Sequence, residues 1–288
     1  MQVANAVKAA ARMAAVAVIA AACGRAEASS NDGAPPAATA EPRVITVVAR
    51  DFAFEAPESV PAGMVTIQLQ NRGQALHHMS LVKLDEGKTL QDVFKALETK
   101  GPPPAWLHEM GGPNAPDPGR DANATLFLQP GNYVILCWVD MPGGVPHVMR
   151  GMAKALTVTP APVPAAATTP SGDITMRLDD YSFTLSKPIT AGEHIIRVEN
   201  AAAQSHEVEL VRLAPGKTAN DLMAWMRNME GPPPASAIGG IAGMARGEVQ
   251  SFSHNFTPGT YVLICFVPDA RDGKPHFMHG MMQTITVS

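Results

Sequence analysis

One stretch of this 288-residue chain occurs twice, so whatever the chain folds into has to be built twice. The first copy reads YVILCWVDMPGGVPHVMRGMAKALTV from Tyr133, and the second reads YVLICFVPDARDGKPHFMHGMMQTITV from Tyr261. Each is an apolar strand ending in cysteine, a long loop, a histidine, a methionine after four intervening residues, and a closing strand. The likeness extends upstream. ARDFAFEAPESVPAG from Ala49 returns as LDDYSFTLSKPITAG from Leu178, LVKLDEGKTL returns as LVRLAPGKTA, and the GPPP at Gly101 returns at Gly231. The offset stays at 128 to 130 residues. Two copies are a duplicated domain and too few for a solenoid. The copies span 43–159 and 172–288. Between them, residues 160–171 are a Pro/Ala/Thr linker without apolar periodicity.

Within a copy, apolar residues alternate at period two. Val65, Ile67 and Leu69 alternate with Thr66, Gln68 and Gln70, which predicts a half-buried strand. A second strand is expected over His77–Leu84. Pro130-Gly131 and Pro258-Gly259 predict type II turns ahead of the cysteine strands. One helix interrupts each copy: Thr89 with Asp92, and Thr218 with Asp221, form capping-box starts, and each helix runs into a Gly-Pro-Pro-Pro stop. The expected fold class is all-β, two tandem antiparallel sandwiches or barrels of seven or eight short strands, each with one inserted helix.

The N-terminus reads as an export signal. Lys8 and Arg12 precede the apolar run Met13–Ala22, which is too short to span a bilayer. Residues 1–23 resemble a lipoprotein signal in which Cys23 takes a lipid anchor. Cleavage after Ala28, at the Ala26-Glu27-Ala28 site, is the rival reading. Residues 24–42, rich in Ala, Pro and Ser, read as a tether. An exported chain, periplasmic or at the cell surface, is therefore expected. After residue 22 there are 20 basic and 26 acidic residues, a net charge of −6, which argues against nucleic acid as a partner.

Cys137, His147 and Met152 line up with Cys265, His276 and Met281. A thiolate, an imidazole and a thioether arriving together suit a soft, redox-active metal, above all copper. A fourth donor is found by aligning LVKL on LVRL, which sets His77 opposite His206 and His78 opposite Glu207. By strand parity His77 and His206 face inward, while His78 points outward. A Cys137–Cys265 disulfide is the bland alternative. It is disfavoured because equivalent central strands of neighbouring domains seldom bring two Cα atoms within the ~6 Å a disulfide needs.

With these residues in place, both copies resemble the cupredoxin family. The resemblance is carried by Asn71-Arg72-Gly73 before His77, by Y-x-x-x-C at Tyr133–Cys137 and Tyr261–Cys265, and by H-x4-M before a closing strand. It implies two Greek-key domains and two type 1-like copper sites, His77, Cys137, His147, Met152 and His206, Cys265, His276, Met281. It also implies electron transfer with a redox partner protein, and a C-terminal-loop histidine at an exposed edge as the electron exit. Two departures stand out. Nine and ten residues separate the cysteine from the second histidine, more than in small cupredoxins, although the copper nitrite reductases have a similarly long loop. The second copy reads Asn200-Ala201-Ala202 where the first has its N-x-G.

No H-x-H occurs, and Leu136 and Ile264, not histidine, precede the cysteines, so no enzyme is expected. Two other readings are open: copper capture or delivery, with Met278, His279 and Met282 near the second site, or a metal-free assembly module in which a buried cysteine is simply a small hydrophobe. His108, His194 and His254 lack counterparts and are expected at the surface or in packing.

Overall fold

The computed structural model describes residues 41–288 apart from 100, 102, 142 and 162–169. The expected signal, the Cys23 anchor, the tether up to residue 40 and most of the linker lie outside the described residues. In the first copy the strands are β1 (Arg43–Arg50), β2 (Ala53–Glu55), β3 (Ser59–Pro61), β4 (Gly63–Asn71), β5 (Ser80–Leu84), β6 (Leu107–Gly111), β7 (Asp121–Leu128), β8 (Gly131–Leu136) and β9 (Ala153–Thr159), with helix α1 (Leu90–Leu97) after β5. In the second they are β10 (Ile174–Asp179), β11 (Ser182–Leu185), β12 (Gly192–Asn200), β13 (His206–Leu213), β14 (Ala235–Met244), β15 (Val249–Phe256), β16 (Gly259–Ile264) and β17 (Met282–Val287), with α2 (Ala219–Trp225) after β13.

These strands form two sheets that both run through both copies. One has the order β11-β10-β12-β15-β7-β4-β1-β2, the other β17-β16-β13-β14-β6-β5-β8-β9-β3. The copies therefore meet edge to edge. The equivalent strands β7 and β15 pair antiparallel, with Thr125 opposite Ser251, and so do β6 and β14, with Met110 opposite Met244. A strand pairing antiparallel with its own equivalent is the pattern of an isologous, two-fold contact, here within one chain. It removes four sheet edges that separate copies would expose.

In each copy the main core lies between the sheets. β4 alternates buried and half-buried residues as its period-two sequence requires, and Val65, Ile67 and Leu69 are essentially inaccessible. A smaller apolar cluster lies under each helix, with Val93 on Val82 and Val134 in one copy and Leu222 on Val211 and Val262 in the other. Both capping boxes form: Asp92 N–H and Asp221 N–H donate to the threonine hydroxyls at 3.4 and 3.2 Å, and the aspartates accept from Thr89 N–H and Thr218 N–H. The helices end at Leu97 and Trp225, ahead of the Gly-Pro-Pro-Pro runs, so the prolines delimit the following loop and do not cut the helices themselves.

Two local expectations are corrected. Gly131 and Gly259 take φ of 147° and 153°, far beyond the ~80° of a type II turn, and open β8 and β16 directly. The strand expected from His77 starts only at Ser80, because Met79 N–H bonds to Pro113 O at 3.0 Å; in the second copy it does start at His206.

Candidate metal centres

The cysteine, the loop histidine and the methionine are tied together by the same four main-chain bonds in both copies. In the first, His147 N–H donates to Val139 O, Val148 N–H to Cys137 O, Met152 N–H to His147 O and Cys137 N–H to Met152 O, at 2.9, 2.8, 3.2 and 3.3 Å. In the second, His276, Phe277, Met281 and Cys265 N–H donate to Val267, Cys265, His276 and Met281 O at 3.0, 2.9, 3.0 and 3.2 Å. The histidine opens a 3₁₀ turn that ends at Gly151 (φ 90°) or Gly280 (φ 104°). The long loops do not disturb this frame. Bridges at Asp140–Pro146 and Pro268–Pro275 pinch the extra residues off as a side excursion.

The upstream histidine is set by a buried asparagine. Asn71 donates its side-chain amide to Ala75 O and Pro116 O and accepts from Gly73 N–H, while Asn200 does the same with Gln204 O, Met244 O and Ala202 N–H. The same asparagine bonds form in the second copy with Ala202 in place of glycine.

The result is two matching clusters. His77 Nδ1 lies 3.1 Å from His147 Nδ1, and Cys137 Sγ is 4.0 and 3.5 Å from the two. Cys265 Sγ lies 3.7 Å from His206 Nδ1 and 3.4 Å from His276 Nδ1. In each trio one ligand atom per residue lies within 4.8 Å of the others, and all six residues are buried. Met152 and Met281 are wholly buried in the same apolar clusters as Cys137 and Cys265. The cysteines form no disulfide.

Sequence reasoning missed the residues that orient these donors. Asp51 Oδ1 lies 2.9 Å from His77 Nε2, and Asp180 Oδ1 lies 3.1 Å from His206 Nε2. A proton held at Nε2 by the carboxylate leaves Nδ1 as a bare lone pair facing the centre, the carboxylate–histidine arrangement that serves metal ligation. Burial pulls His77, His147 and His206 below the usual imidazole range, and His276 down to about 4, against partial support from the aspartates. Burial likewise pushes the Cys137 thiol up to about 12 and Cys265 higher still. The imidazoles and the thiol of each trio thus carry no charge of their own until a cation displaces the thiol proton. Two backbone N–H groups face each sulfur, from His78 and Val139 in one copy and from Glu207 and Val267 in the other. These are the sulfur partners that the sequence leaves unidentified.

The exposed-exit expectation is corrected. His147 and His276 are 2% and 0% exposed because an aromatic side chain covers each. Phe52 meets His147 edge-on at 5.3 Å between ring centres, and Tyr181 meets His276 at 5.5 Å. Both aromatics follow the orienting aspartate and take left-handed backbone, φ 62° and 66°. The signal for all four was in the sequence, as Asp-Phe and Asp-Tyr at one offset, but it was legible only as a repeat. His78, expected to point outward, is buried as well, held between Trp138 N–H and Asn114 Oδ1 of its own copy beside the junction. His279 packs on Tyr181 and lies 3.2 Å from Asp272, outside the donor set. His108 and His194 bond to Asp85 and Asp173, and His254 packs on Phe256.

No family model matches the chain, and no curated protein matches it. Solved structures do. The reduced auracyanin of the photosynthetic bacterium Roseiflexus castenholzii is 24% identical over 41% of this chain and 97% of its own, with TM-score 0.29. A blue copper oxidase from Nitrosomonas europaea is 18% identical over 86% of both chains, TM-score 0.25, and a copper-containing nitrite reductase from Thermus scotoductus is 13% identical over 85% of this chain and 62% of its own, TM-score 0.24. TM-scores this low lend no weight of their own, so the fold stands on the strand order and the site. Each copy is a two-sheet β-domain that holds one buried His–Cys–His cluster. The expectation of no enzyme is corrected. The structures named above that extend over both copies are an oxidase and a reductase, whereas the auracyanin covers one copy. The lack of H-x-H excludes only one way of building a further centre, since ligands assembled from separate strands leave no such motif.

Proposed function

We propose that the chain is a copper protein that takes and gives single electrons through two type 1-like centres, held by His77, Cys137, His147 and Met152 and by His206, Cys265, His276 and Met281. The observation that carries this reading is the twofold convergence of two Nδ1 atoms on one thiol sulfur in a buried pocket, each upstream imidazole held through Nε2 by an aspartate. Two imidazoles, a thiolate and a weak thioether suit copper in both its oxidation states, and copper supplies the one-electron couple. The protein's own residues hold the imidazoles in one tautomer, exclude water through Phe52 and Tyr181, and direct backbone N–H groups at the sulfur. A frame fixed by main-chain bonds in advance limits rearrangement between states.

We further propose export and attachment through Cys23. Among the described residues no helix is long and apolar enough to cross a membrane. The electrons go to or come from a redox partner protein, or are used by the chain itself on a small substrate.

The test is to load the protein with Cu(II), wash it, and record metal content, visible spectrum and reversible voltammetry. Two coppers per chain with intense thiolate-to-copper absorption, lost stepwise in Cys137→Ser and Cys265→Ser, support the reading. Colourless protein holding Cu(I) without a reversible couple would replace it with copper capture, and absence of bound copper would end it. Oxygen uptake or nitrite loss by the loaded protein would add an enzymatic role.

A further inference from the structure

Three buried polar side chains at the junction of the copies have no part in holding the centres. His78 follows the upstream histidine of the first copy, and Glu207 follows that of the second. Asn114 lies between them, and its equivalent in the second copy is Ala242. All three are at most 7% exposed.

Their hydrogen bonds form an unbroken chain. Trp138 N–H, next to Cys137, donates to His78 Nε2 at 2.8 Å. His78 therefore carries its proton on Nδ1, which lies 3.3 Å from Asn114 Oδ1. Asn114 Nδ2 donates to Glu207 Oε2 at 3.3 Å. The other oxygen, Glu207 Oε1, accepts from Phe266 N–H, next to Cys265, at 2.8 Å. At the second centre the contact with sulfur is doubled, since Glu207 N–H also donates to Cys265 Sγ at 3.5 Å.

We propose that His78, Asn114 and Glu207 form a bridge that couples the two centres electronically, and that an electron exchanges between them along it. The proposal rests on the reading of both sites as one-electron copper centres. In the exchange one centre loses an electron and the other gains it; no bond forms or breaks and no proton is consumed. The first electron comes from an external one-electron donor.

Two features favour a bridge over incidental packing. Through the main chain the cysteines are 128 positions apart, but across the junction four hydrogen bonds join their neighbours. The sequence also breaks the two-fold symmetry at the places continuity needs. Two glutamates would both accept and two asparagines would compete for the axis, whereas His, Asn and Glu give a donor for every acceptor along the line. Apolar side chains would seal the junction without the cost of desolvating three polar groups, so stability alone does not account for the trio.

The test has two arms. In the metal-free protein, amide NMR of Asn114→Ala, a residue the second copy already carries at the equivalent place, is expected to move the Trp138 and Phe266 amides together. If either stays in place, there is no continuous bridge. In the copper-loaded protein, flash reduction of one centre followed by optical detection of exchange is expected to slow by about tenfold or more in Asn114→Ala and in Asn114→Leu, a coupling of ordinary size. The spectra and potentials of both centres should stay unchanged. His78→Leu should slow exchange equally, and the double variant no further, because both interrupt one route. Unchanged rates, or additive losses with shifted potentials, overturn the proposal. If the protein takes up no copper, the exchange route falls with the functional reading, while the amide shifts still decide whether the bridge exists.

Discussion

The orienting aspartates are the residues whose removal should speak most directly. Asp51 and Asp180 meet the ligand histidines only at the far nitrogen, and Asp51 also accepts from Gln74 and Ala75 N–H, so their loss removes no proposed donor but frees the ring to rotate and change tautomer. Asp51→Asn and Asp180→Asn are expected to weaken copper at their own site by roughly 10- to 100-fold and leave the other site alone, read by competition with a chelator of known affinity. Equal weakening of both sites would show a global effect instead. The buried bridge also makes a pH prediction for the metal-free protein. His78 is pulled down to about 4 by burial, so it favours folding above pH 6.5 and loses that contribution as pH falls towards 4. Glu207 is pushed up to about 7 by burial, so its contribution is complete below pH 4.5 and is lost as pH rises through 7. The two slopes oppose each other. Glu207→Gln removes the falling one, so stability measured by urea unfolding should rise more steeply between pH 5 and 7 than in the parent protein, by ~3 kcal/mol at most. An unchanged slope would mean that Glu207 does not titrate in this window.

At the level of elements, each copy places two consecutive glycines with positive φ beside the strand that follows the upstream histidine, Gly111-Gly112 and Gly239-Gly240. A Cβ on Gly112 would lie 2.4 Å from Met79 O, and one on Gly240 2.1 Å from Val208 O. The pairing register shifts here in both copies, and the bulge turns β6 and β14 into the junction. Gly240→Ala should therefore cost several kcal/mol, about 2 or more, because main chain has to move; thermal unfolding checks it, and a loss below about 1 kcal/mol would show that the bulge yields. This pair repeats at one offset in the sequence, but nothing in a Gly-Gly dipeptide says which carbonyl crowds it. The same limit governs what was legible elsewhere. Alternation exposed β4 and the T-x-x-D boxes exposed both helices, because those signals are local. The eight proposed donors were legible because duplication let one copy index the other. Asp51, Phe52, Asp180 and Tyr181 were printed in the same repeat, yet their roles depend on a turn that folds back over a pocket some 90 residues later in the chain. His78 was placed outward by strand parity, which fails because β5 starts only at Ser80 and His78, ahead of it, is held by Trp138 N–H and Asn114.

At the scale of the whole molecule, the question is whether the copies are two bodies or one. Ties of several kinds cross the junction besides the two strand pairings. Asn123 exchanges side-chain bonds with the Ser253 backbone at 2.9 Å each way, Gly112 N–H donates to Gln250 Oε1 at 3.0 Å, Ala115 N–H donates to Glu209 Oε2 at 3.1 Å, and Ala237 N–H donates to Asp117 Oδ1 at 3.1 Å. Residues 41–288 accordingly form one compact unit. Opening the junction would expose β6, β7, β14 and β15 as unpaired edges and strip Asn114, Glu207 and Glu209 of their partners across it, a larger penalty than either copy can absorb while staying folded. Metal-free protein should then melt in one two-state transition. A unit of this size unfolding together carries an enthalpy of about 170 kcal/mol near 60 °C, and the van't Hoff value from the shape of the curve should equal the calorimetric one. Independent copies would instead give a van't Hoff enthalpy near half the calorimetric total. That outcome would make the junction a contact between two stable domains, and communication between the centres would then depend on how often the contact is closed.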